Sequence, residues 1–209
     1  MRNDAHAPPA TDAIGSLVAG VAERGYAVVP AFLPSGAIVA LRRRAEAAFA
    51  AQRMRPAAVG RAGARVHDVA LRGDAIVWLD DIEADPAEDA LRAALEDLRR
   101  RANEAMFLGL LDFEGHYARY PEGARYARHR DRFRDQDTRV LSFVLYLNED
   151  WSPTMGGALR LHVDDACEHD VVPDAGTAVA FMAERFEHEV LPATRPRWSF
   201  TGWFRRRAW

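Results

Sequence analysis

From Asp112 onward the chain breaks into short segments rich in aromatic and β-branched residues, with turn residues between them and no helical stretch. They are Tyr117–Tyr120, Val140–Leu147, Ala158–Val163, His169–Val172, Ala178–Met182, Glu189–Leu191 and Arg197–Phe204. A run of this kind builds an antiparallel sandwich or barrel. Ahead of it the pattern is helical. Asp12 to Arg24 carries Ile14, Leu17, Val18 and Val21 at helical spacing, with Asp12 as cap and Gly25 as stop. Tyr26–Val29 reads as a strand. Pro34-Ser35 opens a second helix to about Arg53, apolar at Ile38, Leu41, Ala45 and Phe49. Val66–Asp80 reads as strand, turn, strand, and Pro86 starts a third helix with the stripe Leu91, Ala94, Leu95, Leu98, Ala102, Ala105. Helices first and strands later give an α+β fold: a double-stranded β-helix, or jelly roll, of two facing antiparallel sheets with N-terminal helices packed on one sheet. Residues 1–11 read as a disordered arm. Residues 12–209 read as one domain, with helical support over 12–111 and a jelly-roll core over 112–204.

Composition narrows the chemistry. The 209 residues, 49% of them hydrophobic, suffice for one domain with a real core. All 28 basic residues are arginine, which excludes Schiff-base catalysis, pyridoxal-phosphate anchoring and a Walker lysine. A single cysteine, Cys167, excludes an intrachain disulfide and a thiolate-rich zinc site. The net charge of −3 gives no reason to expect nucleic acid or an anionic membrane. Met1–Thr11 lacks the apolar run of a signal peptide, and no stretch approaches membrane-spanning length. These features fit a cytoplasmic protein, a monomer or weak homodimer.

Against that background stands His129-Arg130-Asp131, followed by His188 and, nine residues later, Arg197. Two imidazoles and a carboxylate can occupy one face of a metal octahedron and leave the rest open, the arrangement of non-haem Fe(II) oxygenases. His129 and Asp131, two apart, would face the same way in a regular strand, and two facing sheets would bring His188 to them. Arg197, among Trp198, Phe200 and Trp203, is expected to be buried, and a buried guanidinium needs a carboxylate from the protein or from a ligand. With Tyr146 as a second donor it would make a 2-oxo-acid pocket. The plainer readings stand beside these. H-x-D alone is a weak signal, and Tyr120 and Tyr126 fit ordinary sheet packing. His6, His67, His116, His162 and His169 read as surface or turn histidines. Arg130, Arg132 and Arg134 read as a solvated loop, and Arg205-Arg206-Arg207 as a solvated tail.

The segment Tyr120-Pro-Glu-Gly-Ala-Arg-Tyr126-Ala-Arg-His129-Arg-Asp131 resembles the motif of the Fe(II)/2-oxoglutarate-dependent prolyl hydroxylases of the HIF-hydroxylase-like class, bacterial relatives included. The likeness runs on through Arg139–Trp151, Gly156–Leu161, His188–Ala193 and Arg197–Trp203, and back to Leu71–Trp78. The resemblance implies that His129, Asp131 and His188 bind Fe(II), and that Arg197 holds the distal carboxylate of 2-oxoglutarate with Tyr146 and nearby Thr201. Tyr120 would line the co-substrate pocket. Arg139, Trp203 and Tyr126 would border the substrate. It further implies use of O2, stimulation by ascorbate, release of succinate and CO2, and 4-hydroxylation of a proline in a protein loop, a translation factor being one candidate. Relative to the animal enzymes the stretch from Asp131 to Arg139 is one residue longer and that from Tyr120 to His129 one shorter. Two other functions stay open: an oxygenase of free amino acids or small metabolites, and a non-catalytic sensor of metal or 2-oxo acid.

Overall fold

In the computed structural model the described residues are 12–57, 68, 71–131, 138–164 and 166–207. The expected arm at 1–11 lies outside them. Helix α1 (Ala13–Arg24) begins where Asp12 accepts a hydrogen bond from the Gly15 amide and ends at Gly25 with φ of 85°, as the sequence predicts. Helix α2 (Ser35–Ala50) stops three residues before Arg53, because Ala51 and Gln52 turn the chain, Gln52 at φ of 56°. Its buried stripe is Ile38, Leu41, Ala45 and Ala48. Phe49 is one position off that stripe and 41% exposed, its ring edge against Trp198 and its face under the Arg119 guanidinium. A 3-10 turn at Pro86–Glu88 leads into α3 (Asp89–Met106), which buries Leu91, Ala94, Leu95, Leu98 and Ala102. Ala105, in the last turn before the left-handed Phe107, is exposed instead. No helix among the described residues is long and apolar enough to cross a membrane.

The strands form two antiparallel sheets. The larger has seven: β1 (Tyr26–Val29), β9 (Ala178–Met182), β6 (Arg139–Tyr146), β11 (Arg197–Arg205), β4 (Asp112–Tyr120), β3 (Ala75–Trp78) and β2 (Arg55–Pro56), in that spatial order. The smaller has β5 (Tyr126–His129), β10 (Glu187–Val190), β7 (Leu159–His162) and β8 (Glu168–Val171). Strands β2 and β5 escape the sequence reading: one is two residues long, the other has a charged and polar half. Of the expected pair over Val66–Asp80, most of the first half lies outside the described residues. Leu71 sits in a turn, Arg72 makes an isolated bridge to Tyr126, and β3 gives way to a 3-10 turn at Leu79–Asp81. Arg205 belongs to β11 and pairs with Asp112 and Glu114, so it is not part of the expected solvated tail.

Both faces of the larger sheet are covered. One set of alternating residues, Tyr117, Leu141, Phe143, Leu145, Ala178, Ala180, Phe200 and Phe204, packs with the helices in one core. The other set, Ala118, Tyr120, Val144, Tyr146, Val179 and Phe181, meets Leu159, Leu161, Phe186 and Val190 in a second core between the sheets. The two sheets therefore face each other, with the helices packed on the larger one.

One buried carboxylate ties the helical layer to the sheet. Glu88 is fully buried and accepts from Arg44 of α2 at 3.4 Å, Arg92 of α3 at 3.1 Å and the Tyr117 hydroxyl of β4 at 3.2 Å. Burial, then the Glu88 charge, pushes the Tyr117 hydroxyl far up, so it stays a donor. Because the anion is the buried partner, losing a cation should cost more than losing the charge. Arg44→Ala is expected to lower unfolding stability by about 2–3 kcal/mol, and Glu88→Gln by about 1 kcal/mol. Urea denaturation of both variants checks the order, and a reversed order would overturn it.

Candidate active site

The three expected metal ligands meet where the sheets face each other. His129 ends β5 and pairs directly with His188, the second residue of β10, so their rings lie side by side with centroids 4.2 Å apart. Asp131 arrives differently from the sequence expectation. The strand stops at His129, Arg130 carries the chain outward, and Asp131 sits in a bend, where it is held from the opposite sheet. Ser142 of β6 donates to its Oδ2 at 2.7 Å. Its Oδ1 lies 3.6 Å from His129 Nε2 and its Oδ2 3.5 Å from His188 Nε2, and the ligand atoms all fall within 4.8 Å of one another.

The backbone fixes which nitrogen of each ring is free. His129 Nδ1 lies 2.8 Å from the Ala127 carbonyl and His188 Nδ1 3.4 Å from the Phe186 carbonyl. A carbonyl only accepts, so each Nδ1 carries the proton and each Nε2 presents a lone pair toward Asp131. Burial pushes the His188 imidazole down to about 4 and keeps it neutral. Burial alone would push the Asp131 carboxyl up, but attraction to His188 and His129 in their protonated forms, with the Ser142 hydrogen bond, outweighs it and holds the group well below the usual carboxylate range. With both rings neutral, two lone pairs and a buried carboxylate converge on one position. A divalent cation fits that donor set, and three protein ligands leave further coordination positions open.

Strand β11 leads from this point into a pocket. Arg197, Ser199, Thr201 and Trp203 alternate onto the inner face, opposite Tyr120, Ala118, His116 and Glu114 of β4. Trp203 pairs with Ser142, Thr201 with Val144, and Ser199 with Tyr146 on β6. Arg197 is 2% exposed. Its Nε donates to the Gly157 carbonyl at 2.9 Å, and its guanidinium lies 5.0 Å from the Tyr146 ring centre and 5.2 Å from that of Tyr120. Among the described residues no carboxylate pairs with it. The Tyr146 hydroxyl is buried with no hydrogen-bond partner there either, and burial pushes it up to about 12 against the pull of Arg197. A buried cation beside a protonated, unengaged hydroxyl fits a ligand carboxylate. Thr201 contributes a hydroxyl 3.3 Å from Ser199 Oγ. The Gly156-Gly157 turn behind Arg197 has φ of 69° and 73°, and a Cβ on Gly156 would meet the Pro192 carbonyl at 2.5 Å.

The remaining expected residues lie nearby. Arg139 donates to Glu114 at 2.8 Å and places its guanidinium 3.6 Å from the Trp203 ring centre. Trp203 is buried, and its indole N–H has no partner among the described residues. Tyr126 stacks on His129 at 3.6 Å between centroids. Arg130 is exposed, and 132–137, including Arg132 and Arg134, lie outside the described residues. His116 contradicts its surface assignment. It is 1% exposed, wedged against Trp78 and Trp203 with Nδ1 unpartnered among the described residues, and burial pushes it down to about 3. Extending the alternation of β4 backward from Ala118 would have found it. His162 likewise is partly buried, between Glu168 and Glu189. His6 and His67 lie outside the described residues. Ser142, which orients a ligand, was also missed, although a small polar residue in the apolar run 140–147 was its signal.

A jelly roll that holds two imidazoles and a carboxylate between facing sheets, with a buried arginine on the inner face that has no carboxylate partner among the described residues, defines the non-haem iron oxygenase class. Residues 115–205 match the 2OG-Fe(II) oxygenase superfamily. A prolyl-4-hydroxylase of Pseudomonas putida superposes with a TM-score of 0.84 at 45% identity, covering 93% of this chain and 100% of that one. Egl nine homolog 1 of Homo sapiens is 32% identical over 143 residues, 64% of this chain and 33% of its own length, so the chain spans about a third of that relative. The Trichoplax adhaerens prolyl hydroxylase, solved with a hypoxia-inducible-factor peptide, shares the fold with a TM-score of 0.81 at 24% identity, covering 92% of this chain and 88% of that one. The chain belongs to the 2OG-Fe(II) oxygenase superfamily.

Removing the Ser142 hydroxyl should leave Asp131 free to rotate off the shared ligand position. Ser142→Ala is expected to weaken Mn(II) binding roughly 10-fold with little change in fold. Calorimetric titration with Mn(II) measures it, and wild-type affinity would remove Ser142 from the site.

Proposed function

We propose that this chain is an Fe(II)- and 2-oxoglutarate-dependent prolyl 4-hydroxylase whose substrate is a proline in a protein loop, a translation factor being one candidate. The observation that carries the reading is Arg197: a buried guanidinium with no carboxylate partner among the described residues, on the strand that also faces the triad. Prolyl specificity is supported by the 45% identity to the Pseudomonas enzyme, matched over its whole length. In this reading Fe(II), when bound, supplies the redox chemistry that couples decarboxylation of 2-oxoglutarate by O2, to succinate and CO2, with hydroxylation of a C–H bond. His129, Asp131 and His188 hold the metal. Arg197 takes the distal carboxylate of the co-substrate through paired hydrogen bonds, and the Tyr146 hydroxyl adds a third. Tyr120 and Thr201 wall the same pocket. Val144, Val179 and Phe181 keep its inner side apolar and exclude water. Arg139 and Trp203 stand at the end where Asp131 lies and border the substrate. The same reading places the protein in the cytoplasm, as a monomer or weak homodimer stimulated by ascorbate.

The test is succinate release and oxygen gain on proline, followed by mass spectrometry with Fe(II), 2-oxoglutarate and proline-containing peptides. Turnover absent in His129→Ala is expected. No succinate above that variant would overturn the enzyme, and turnover with free amino acids alone would overturn the peptide substrate. Arg197→Ala should raise the apparent KM for 2-oxoglutarate roughly 100-fold, from about 3 kcal/mol for a lost buried ion pair. An unchanged KM would overturn the pocket assignment.

A further inference from the structure

The two histidines of the triad are not equally secured. His188 lies in β10, between β5 and β7, whereas His129 ends β5, which among the described residues has no strand of the smaller sheet on its other side. The pairing of β5 with β10 is itself irregular, its register shifting between His188 and Val190. An edge strand with a broken ladder holds its last side chain poorly. His129 needs another restraint.

The segment Leu71–Asp74 provides it. It runs along the open side of β5, where the Leu71 carbonyl accepts from the Ala127 amide at 2.8 Å and the Gly73 amide donates to the Arg125 carbonyl at 3.0 Å. Its continuation is β3 of the larger sheet, so one stretch of backbone is anchored in both sheets. Within it, Arg72 is locked to Asp74 by two hydrogen bonds, of 2.7 and 3.0 Å, and the Asp74 side chain is fully buried. The guanidinium lies 4.6 Å from the centre of the Tyr126 ring, and that ring stacks on His129 with an interplanar angle of 18°. The backbone makes a second link, since Ala127, held by Leu71, offers its carbonyl to His129 Nδ1. One link limits tilt of the imidazole and the other its rotation about χ2. Asp74 has a further part: a bare guanidinium behind the ring that stacks on His129 would repel a cation held by that imidazole, and the bidentate carboxylate cancels the charge.

We propose that Asp74, Arg72 and the Tyr126 ring form a positioning unit that fixes the orientation of His129, so that metal affinity depends on a segment remote in sequence from the ligands. The proposal rests on the metal-site reading above and assigns Tyr126 a positioning role, whether or not it also borders substrate. Manganese(II) alone is the probe, titrated by electron paramagnetic resonance into the full chain at a temperature where circular dichroism shows every variant folded. Tyr126→Phe keeps the ring and should bind Mn(II) like wild type. Tyr126→Leu and Arg72→Leu should each bind it roughly 10-fold more weakly. Because Arg72 acts through the ring, the two leucine substitutions combined should cost no more than Tyr126→Leu alone. A merely structural role would lower the melting temperature and leave Mn(II) affinity unchanged, which would overturn the proposal, as would additive losses. If Tyr126→Leu does not fold, Arg72→Leu against wild type decides alone. Absence of Mn(II) binding in wild type would instead overturn the metal-site reading.

Discussion

A sheet can turn polar chemistry inward only if its other face is sealed from water, and that constraint organises this molecule. Strands β4, β6, β9 and β11 carry apolar residues at every second position, and three helices cover them. The intervening positions are thereby released to face the smaller sheet with Arg197, Ser199, Thr201, Ser142, Tyr146 and His116 among aliphatic neighbours. Period-two alternation does double service: one register builds the core and the other builds the site. A one-residue slip of β11 would exchange them, placing Trp198 and Phe200 in the pocket and Arg197 under the helices.

The buried charges divide by how they are answered. Glu88 has two arginines and a tyrosine, and Arg72 has Asp74, all within the chain. Asp131 has a serine and two imidazoles, whose lone pairs do not neutralise an anion. Arg197 has a backbone carbonyl and aromatic faces. The first two are complete as they stand and need no charge from outside the chain. Among the described residues the last two lack a counter-charge, and both sit against the inner face of the larger sheet, Arg197 on β11 and Asp131 through Ser142 of β6. That contrast marks where the chain offers charge to a ligand without appeal to any relative.

Much of this was legible in the residues. The Asp12 cap and Gly25 stop, the apolar stripe of α3, the order of strands after Asp112, and the grouping of His129, Asp131, His188 and Arg197 follow from spacing and residue type. What escaped did so for physical reasons. Strand β5 has a polar, charged sequence because it lies at an edge and ends in a ligand, so alternation could not mark it. Asp131 leaves the strand because a bend, rather than the pleat, turns it toward Ser142. His116 looked like a surface histidine because β4 was begun at Tyr117, and the glycine at 115, pressed between Phe113 and Phe200, hid the continuation. Phe49 misled because its size suggested core, while Ala48 holds the helical phase.

Both metal-facing imidazoles donate their Nδ1–H to the main-chain carbonyl two residues upstream, Ala127 for one and Phe186 for the other. Metal-binding histidines often use a carboxylate for this, which any point mutation can remove. Here the acceptor is part of the peptide chain and survives every substitution at its position except those that alter backbone path. The tautomer at the metal is therefore inherited with the strands themselves. Neutral drift around the site can reshape the substrate mouth while leaving the protonation pattern of its ligands unchanged, which frees that rim to diverge between lineages.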